Sequence, residues 1–206
     1  MSRTPFGVVI AGGASTRYGE PKALVEVGGA RIADRVAAVL RAVLADVVAI
    51  VNDRTLAAEI GLTWRADLRP GLGALGGIHA ALHWAAEDGR PGILAVACDM
   101  PFVPSALLAL LLEEAGGGFD VVIPESGGRR GIEPLCAYYA TTCLNAIERA
   151  IDTGDHRMIG FHDAVNVRKL ARSEVERHGV PDVVFLNVNT PEQRLRAERI
   201  AEGAGA

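Results

Sequence analysis

The sequence predicts an α/β fold, in which helices cover both faces of a mostly parallel β-sheet. Two observations support this prediction. Short apolar runs alternate with stretches of helical periodicity along the 206 residues, and strands that are apolar on both sides are typical of buried parallel sheets. Half of the residues are hydrophobic and only 5% are aromatic. This balance suits Val-rich strands packed beneath Ala- and Leu-rich helices.

The first half of the chain contains two predicted strands and one predicted helix with a clear hydrophobic pattern. "GVVIAG" is the first buried strand, and "DVVAIVN" (46–52) is the second. Between them, "ARIADRVAAVLRAVLA" is predicted to be helical because its apolar side chains share one face. These side chains are Ile32, Val36, Val39, Leu40 and Val43. A short helix is expected near 56–60, then the segment "LTWRAD" and the helix "GGIHAALHWAAE".

The second half continues the alternation. "GILAVACD" (92–99), "FDVVIPE" and "EPLCAYYA" are predicted strands, while "PSALLALLLEEA", with Pro104 at its start, and "TTCLNAIERAID" are predicted helices. The segment "DVVFLNVNTPEQRLRAERI" is expected to form a strand that ends in two asparagines. A helix should follow, with Thr190 as its N-cap and Pro191 at its first position. We therefore predict a Rossmann-like three-layer sandwich that forms one domain, residues 1–206.

Composition excludes several classes of protein. The net charge is −4 and no basic stripe is present, which argues against a general nucleic-acid binder. Three cysteines without a CxxC pair indicate a reducing compartment and no zinc ribbon. The N-terminus lacks a long apolar h-region, and no apolar run is long enough to span a membrane. We therefore expect a cytoplasmic protein that binds neither nucleic acid nor membrane.

Three loops are the candidates for a binding site. Open parallel sheets bind ligands beyond the carboxyl ends of their strands, at the switch point of the strand order. The loops that follow Ile10, Ile50 and Ala97 all carry polar or glycine residues at this edge. They contain the glycine loop "AGGASTRYGEPK", the pair Asn52-Asp53 and the pair Cys98-Asp99.

The glycine loop carries two cations that suit a phosphate ligand. Glycines let backbone N–H groups approach a phosphate closely, and Arg17 and Lys22 could bind its oxygens. The loop has neither the GxxxxGK[ST] pattern of a P-loop nor the GxGxxG pattern of a dinucleotide site. On glycine spacing alone, a tight strand-to-helix turn with a solvated Arg17 and Lys22 is an equal alternative.

Asp99 is the candidate metal ligand. It ends a buried apolar strand, where a carboxylate contributes little to stability but is well placed to hold Mg²⁺. Magnesium takes one or two protein carboxylates and completes its shell with phosphate oxygens and water. The alternative is an N-cap or turn aspartate, since Pro101 follows. The position of Asp99 at the switch-point edge favours the metal.

These segments resemble a known family. "VVIAGGASTRYGEPKALVEVGG" resembles the signature of nucleotidyltransferases that activate sugars, polyol phosphates and cofactors. Within that superfamily, the chain is similar to the MobA-type molybdenum cofactor guanylyltransferases through "RADLRPGLGALGGIHAAL", "ACDMPFVP", "GIEPLCAYY" and "FLNVNTPE". The resemblance runs in order from Gly7 to Glu192. It implies the nucleotide-diphospho-sugar transferase type of α/β fold.

The resemblance also implies a role for each matching residue. Nucleotide binding is implied at Ile10, Ala11, Gly12, Gly13, Lys22, Asn52, Asp67 and Asp99. Contact with the acceptor substrate is implied at Gly77, Asn187 and Asn189. Arg17, Lys22 and Asp99 are expected to be catalytic. The two cations would stabilise charge as pyrophosphate leaves, and Asp99 would bind Mg²⁺, the cofactor that the resemblance implies.

The implied activity is transfer of GMP from GTP to molybdopterin. The acceptor phosphate would attack the α-phosphorus of GTP in line, and because that phosphate is already ionised, no general base is needed. Pyrophosphate is released and the guanine dinucleotide form of the molybdenum cofactor results. GTP and molybdopterin are the expected partners, and a molybdoenzyme or its chaperone would receive the product.

Three departures from the family pattern keep alternatives open. Tyr18 stands where the family has Met, Pro21 where it has Asp, and Ala74 where it has Pro. A cytidylyltransferase, or an enzyme for another phosphorylated acceptor, is therefore the first alternative. A non-catalytic module that delivers nucleotide or cofactor is the second, although the retention of Lys22 and Asp99 argues against it.

The remaining candidates are weaker. His79 and His83 have the i, i+4 spacing of a metal pair, but without an HExxH glutamate we expect them to be helix-surface residues. Arg129 and Arg130, in a glycine-rich loop, and Arg157 could each contact the phosphate of a pterin substrate. A solvated basic hairpin explains the first two equally well.

Overall fold

A computed structural model describes residues 3–11, 21–127 and 131–203. Its nine strands are β1 (Phe6–Ile10), β2 (Glu26–Val27), β3 (Ala30–Arg31), β4 (Val47–Ile50), β5 (Thr63–Arg65), β6 (Gly92–Ala97), β7 (Val121–Pro124), β8 (Cys136–Ala140) and β9 (Val167–Leu170). Seven of them form one sheet in the order β5-β4-β1-β6-β8-β7-β9. In this sheet β8 runs antiparallel to its two neighbours, and the other pairs are parallel.

Eight α-helices accompany the strands in the described residues. They are α1 (Ile32–Arg41), α2 (Arg54–Ile60), α3 (Ala74–Glu87), α4 (Ser105–Ala115), α5 (Leu144–Asp152), α6 (Arg172–Glu176), α7 (Pro181–Val184) and α8 (Pro191–Gly203). A single 3₁₀ turn over Lys22–Leu24 leads into β2. The helices predicted from periodicity are therefore present, in the predicted order.

Two apolar cores lie on opposite faces of the sheet. Side chains of β1 alternate between them, because Val9 packs into one core while Val8 and Ile10 pack into the other. The first core contains the buried sides of α1, α4 and α8, and the second contains those of α3 and α5. This arrangement confirms the predicted three-layer α/β fold with a mostly parallel sheet.

The C-terminal segment differs from the prediction. Instead of a strand, residues 181–184 form the one-turn helix α7, and the chain to Asn189 joins no sheet. The reason is local, because Pro181 occupies the first helical position, where its missing N–H is not needed. The residues after α7 do not pair with a strand. Val188, for example, donates its N–H to the carbonyl of Asp99 at 2.9 Å.

Two strand features were not predicted. Gly28 and Gly29, with φ of 56° and 72°, connect β2 to β3 in a tight hairpin that favours glycine at both central positions. The edge strand β9 pairs in parallel with β7. Its sequence, VRKL, contains two charged residues and only its last residue is buried, so it lacks the apolar run by which the other strands were recognised.

None of the described helices is both long and apolar enough to cross a bilayer.

Gly92 provides a test of the sheet. It pairs with Ala140 on β8, and a Cβ at this position would overlap the carbonyl oxygen of Tyr139. We expect Gly92→Ala to lower the free energy of unfolding by about 2–4 kcal/mol, because the clash is with backbone. Gly203→Ala is the control, since a Cβ there meets no atom within 4 Å. Equal urea midpoints for the two variants would contradict this packing.

Candidate functional site

The predicted binding edge forms where β1, β4 and β6 end. Backbone hydrogen bonds continue one residue past the strands: Ala11 donates to the carbonyl of Ile50 and Cys98 to that of Ile10, both at 3.0 Å. The first residues of the three loops are therefore held side by side. Parallel strands bring their carboxyl ends to one edge, and the structure places Asn52 and Asp99 at that edge.

Lys22, Asp99 and Asn189 form one polar cluster. The ammonium group of Lys22 donates to Oδ1 of Asn189, and both Lys22 and the Asn189 side chain lie near enough to the Asp99 carboxylate to lower its pKa. The bond from Val188 N–H to the Asp99 carbonyl anchors the same segment on the end of β6. Three predicted site residues that are distant in sequence therefore lie together at the end of β6.

The start of α8 fixes Asn189. Its backbone N–H donates to Oε1 of Gln193 at 2.7 Å, and the N–H of Gln193 donates to Oγ1 of Thr190 at 3.3 Å. The Thr190 hydroxyl therefore caps the N–H of the third helical residue, which confirms Thr190 as N-cap and Pro191 as the first helical residue. The sequence NTPEQ therefore fixes the backbone of Asn189 at the start of α8.

Burial makes the Asp99 carboxylate unusual. It raises the pKa of Asp99 above its ordinary value, whereas the ammonium of Lys22, the backbone N–H of Asp99 and the Asn189 amide lower it. The described groups therefore leave the charge incompletely compensated. A half-buried carboxylate of this kind, beside a lysine, fits the single hard oxygen ligand that Mg²⁺ commonly takes from a protein in phosphate sites.

Cys98 is not a nucleophile. Burial and the adjacent Asp99 raise the pKa of its thiol to about 12. The thiol therefore stays protonated at neutral pH, and a thiol is a far weaker nucleophile than a thiolate. Cys98 acts as a small packing residue at the end of β6.

Asn52 and Asp67 form a second polar unit at this edge. The Asn52 amide donates to Oδ2 of Asp67 and its carbonyl oxygen accepts the Asp67 N–H, both at 2.8 Å. The other carboxylate oxygen, Oδ1 of Asp67, is buried without a hydrogen-bond partner among the described residues. Buried polar atoms are normally paired, so this oxygen is suited to accept a hydrogen bond from a ligand.

The other site residues are placed as follows. Ile10 is buried and Ala11 is half-buried at the end of β1. The Cβ that Gly77 lacks would lie 3.3 Å from Ile10 Cγ2, so packing of α3 on the sheet already requires glycine there. Its substrate contact stays a prediction. Asn187 is half-buried, and its amide donates to the carbonyl of Phe185 at 3.2 Å.

Several predicted residues lie outside the described part of the chain. These are Gly12, Gly13 and Arg17 of the glycine loop and Arg129 and Arg130 of the basic loop. Arg157 is described and exposed, and its guanidinium donates to the carboxylate of Asp155 at 2.6 and 2.8 Å.

The prediction for the histidine pair was wrong at one position. His79 has only 2% of its surface exposed, because α5 packs against that side of α3. His83 is half-buried at the rim of the same contact. Sequence periodicity could not reveal this, since α3 has apolar residues on nearly all sides and its partner helix follows more than fifty residues later.

Comparisons with known proteins agree with this geometry. A family model described as "MobA-like NTP transferase domain" matches residues 7–167. A probable molybdenum cofactor guanylyltransferase of Pelotomaculum thermopropionicum is 37% identical, over 96% of this chain and 94% of the relative. The molybdenum cofactor guanylyltransferase of Desulfosudis oleivorans is 35% identical over 93% of both. The crystal structure of molybdopterin-guanine dinucleotide biosynthesis protein A from Archaeoglobus fulgidus is 28% identical, covers 96% of this chain and 99% of that one, and superposes with a TM-score of 0.80.

The environment of Asp99 predicts a pH-dependent cost in stability. A carboxyl group whose pKa is raised by folding binds its proton more tightly in the folded state. The contribution of Asp99 to the free energy of unfolding is therefore most favourable below its ordinary pKa near 3.8. That contribution is lost as the pH rises through the higher pKa of the folded state. We expect Asp99→Asn to be more stable than the parent at pH 7, by a few degrees in Tm, and this difference to shrink toward pH 4.

The measurement is urea or thermal unfolding of parent and variant across that pH range, without added metal. Asp163→Asn is the matched control, because Asp163 is exposed. A variant at Asp99 that is less stable than the parent at pH 7 would show that the carboxylate stabilises the fold, which contradicts an incompletely compensated buried charge.

Proposed function

The chain belongs to the MobA-like NTP transferase family, which makes it a nucleotidyltransferase, and we propose that it transfers GMP from GTP to molybdopterin. The observation that carries this proposal is the cluster of Lys22, Asp99 and Asn189 at the carboxyl end of β6. It combines a cation for phosphate, a carboxylate for metal and an amide that links them. The names of the relatives support guanine as the base and molybdopterin as the acceptor.

Lys22 neutralises charge on the triphosphate. The bond that breaks joins the α-phosphorus to the bridging oxygen of pyrophosphate, so negative charge grows on the leaving group. A fixed ammonium group stabilises that charge most when no side chain has to reorganise. The hydrogen bond from Lys22 to Asn189 supplies this pre-organisation, and the Thr190–Gln193 pair holds Asn189 in turn.

Asp99 is the proposed ligand of Mg²⁺. When bound, the metal neutralises phosphate charge and helps to orient the triphosphate. The chain's own contribution is to keep the carboxylate half-buried and within reach of the Asn189 amide. Because the negative charge of Asp99 is incompletely compensated, it attracts a cation to this position.

Nucleophilic attack comes from the acceptor rather than from the protein. The terminal phosphate of molybdopterin forms the new bond to the α-phosphorus of GTP as pyrophosphate leaves. Such transfers depend on positioning and charge stabilisation more than on a protein nucleophile. The protonated thiol of Cys98 beside the site is consistent with this mechanism. A molybdoenzyme or its chaperone would then accept the dinucleotide product.

Asp67 is the proposed reader of the guanine base. Guanine offers an N1–H and an exocyclic amino group as donors, and a carboxylate is a suitable acceptor for them. Asn52 fixes one oxygen of Asp67, which leaves the unpartnered Oδ1 to accept from the nucleotide. Binding would therefore satisfy a buried oxygen as well as selecting the base.

Substitution of Lys22 tests the catalytic assignment. We expect Lys22→Met to lower kcat by about 100-fold or more, because charge stabilisation in the transition state is lost. The assay is pyrophosphate release from GTP with molybdopterin as acceptor. Lys169→Met is the matched control, since Lys169 is the only other lysine and lies exposed on β9. If the protein were a delivery module without catalytic function, neither the parent nor the Lys169→Met control would release pyrophosphate.

Calorimetric titration tests the base assignment. We expect GTP with Mg²⁺ to bind more tightly than CTP, ATP or UTP. Asp67→Asn should weaken GTP binding by about tenfold, because an unsatisfied or mismatched buried polar contact costs roughly 1–3 kcal/mol. Asp53→Asn is the comparison in the neighbouring loop, where the Asp53 carboxylate caps α2 instead. Preference of the parent for CTP would move the protein to a cytidylyl branch.

A further inference from the structure

His79 is a buried histidine whose ring is poorly satisfied by the fold. It lies in the middle of α3 with 2% of its surface exposed; Nδ1 has no hydrogen-bond partner among the described groups, and Nε2 has only a long 3.5 Å contact with Oε1 of Glu148. Burial of a polar atom without a hydrogen-bond partner destabilises the folded state. If this position were required only for packing between α3 and α5, an apolar side chain would make the folded state more stable.

The ring of His79 faces two other potential metal ligands. His83 follows one turn later on the same side of α3, and Glu148 projects from α5. Nε2 of His83 is 2.9 Å from Oε1 of Glu148, and Nε2 of His79 is 3.5 Å from the same oxygen. One ligand atom from each of the three residues lies within 4.8 Å of the others. Among the residues that the structure describes, this is the one such group.

We propose that His79, His83 and Glu148 bind one divalent transition-metal ion of the zinc class, which clamps α3 to α5. Two imidazoles and a carboxylate are a donor set typical of zinc, with a fourth position left for water. Ligands at about 2.0–2.2 Å from a tetrahedral zinc lie roughly 3.3–3.5 Å apart. The distances from Glu148 to His79 and His83, 3.5 and 2.9 Å, lie around this spacing, and all three ligand atoms lie within 4.8 Å of one another, so the two imidazoles would move closer together to bind the ion.

The protonation states of these groups favour a metal. Burial lowers the pKa of His79, and the neighbouring His83 and Arg69 lower it further, against the opposing effect of Glu148. The hydrogen bond from His83, followed by the contact with His79, lowers the pKa of Glu148. At neutral pH the site therefore presents a neutral imidazole and an ionised carboxylate, which are the forms that bind metal.

The site is separate from the proposed nucleotidyl-transfer centre. His79 and Glu148 lie between α3 and α5, on the face of the sheet opposite the core that contains Val188 next to Asn189. The consequence of binding would be structural, since α3 also carries Gly77, which packs directly on Ile10 at the end of β1. A clamp on α3 would steady that contact.

The test is titration of the untagged chain with ZnCl₂, followed by calorimetry and by thermal unfolding. We expect one zinc ion to bind per chain and to raise Tm, because a ligand of the folded state stabilises it. His83→Ala and Glu148→Gln should each weaken this binding by more than about tenfold. Both side chains are about one-third exposed, so these variants should fold, and their Tm without metal verifies it. MgCl₂ should not replace zinc, because it prefers oxygen ligands.

Two control variants make the result decisive. His156→Ala removes an exposed histidine outside the cluster and should leave zinc affinity unchanged. Asp99→Asn should also leave it unchanged, which separates this site from the proposed magnesium site. Zinc affinity that is lost in Asp99→Asn, or that is equal in parent, His83→Ala and Glu148→Gln, would overturn the proposal. So would the absence of one-to-one binding to the parent chain.

Discussion

The hydrogen bond from the Val188 N–H to the Asp99 carbonyl, at 2.9 Å, is the constraint on which the site depends. It attaches a segment without sheet partners to the end of β6, at the centre of the sheet. This attachment brings Asn189 next to both Lys22 and Asp99. The three side chains come from the beginning, the middle and the end of the chain, so tertiary structure, and no local motif, assembles them.

The same attachment explains why α8 begins where it does. A helix N-terminus leaves backbone N–H groups unpaired. Thr190 satisfies that of Gln193, and the Gln193 side chain in turn accepts the N–H of Asn189 just before the helix. One short stretch therefore caps a helix and positions a functional amide. The polar cluster is held rigidly by bonds that the helix needs in any case, which suits a centre whose task is to pre-organise charge.

The sequence was sufficient for the layers of the fold and for the edge that carries the site, since buried strands read as apolar runs and polar residues follow them. It was misleading at "DVVFLNVN", where β-branched and aromatic residues suggest a strand but Pro181 begins a helical turn. It could not place His79, because burial there depends on α5. Glu148, the third member of that cluster, has no signal in the sequence except an ordinary helical position.

The aspartates of neighbouring loops illustrate what only coordinates can distinguish. Asp53 accepts hydrogen bonds from the N–H groups of Thr55 and Leu56 and so has its role within the fold. Asp67 keeps one buried oxygen unpaired, although it too is bonded to a neighbour. Both are polar residues beyond a strand end, and their sequence contexts do not separate them. Folding accounts for the bonds of the first, whereas the second has an acceptor that folding leaves unused. The same argument applies to His79, so at these two positions an unsatisfied buried atom, together with the polar groups around it, is the basis for proposing a ligand.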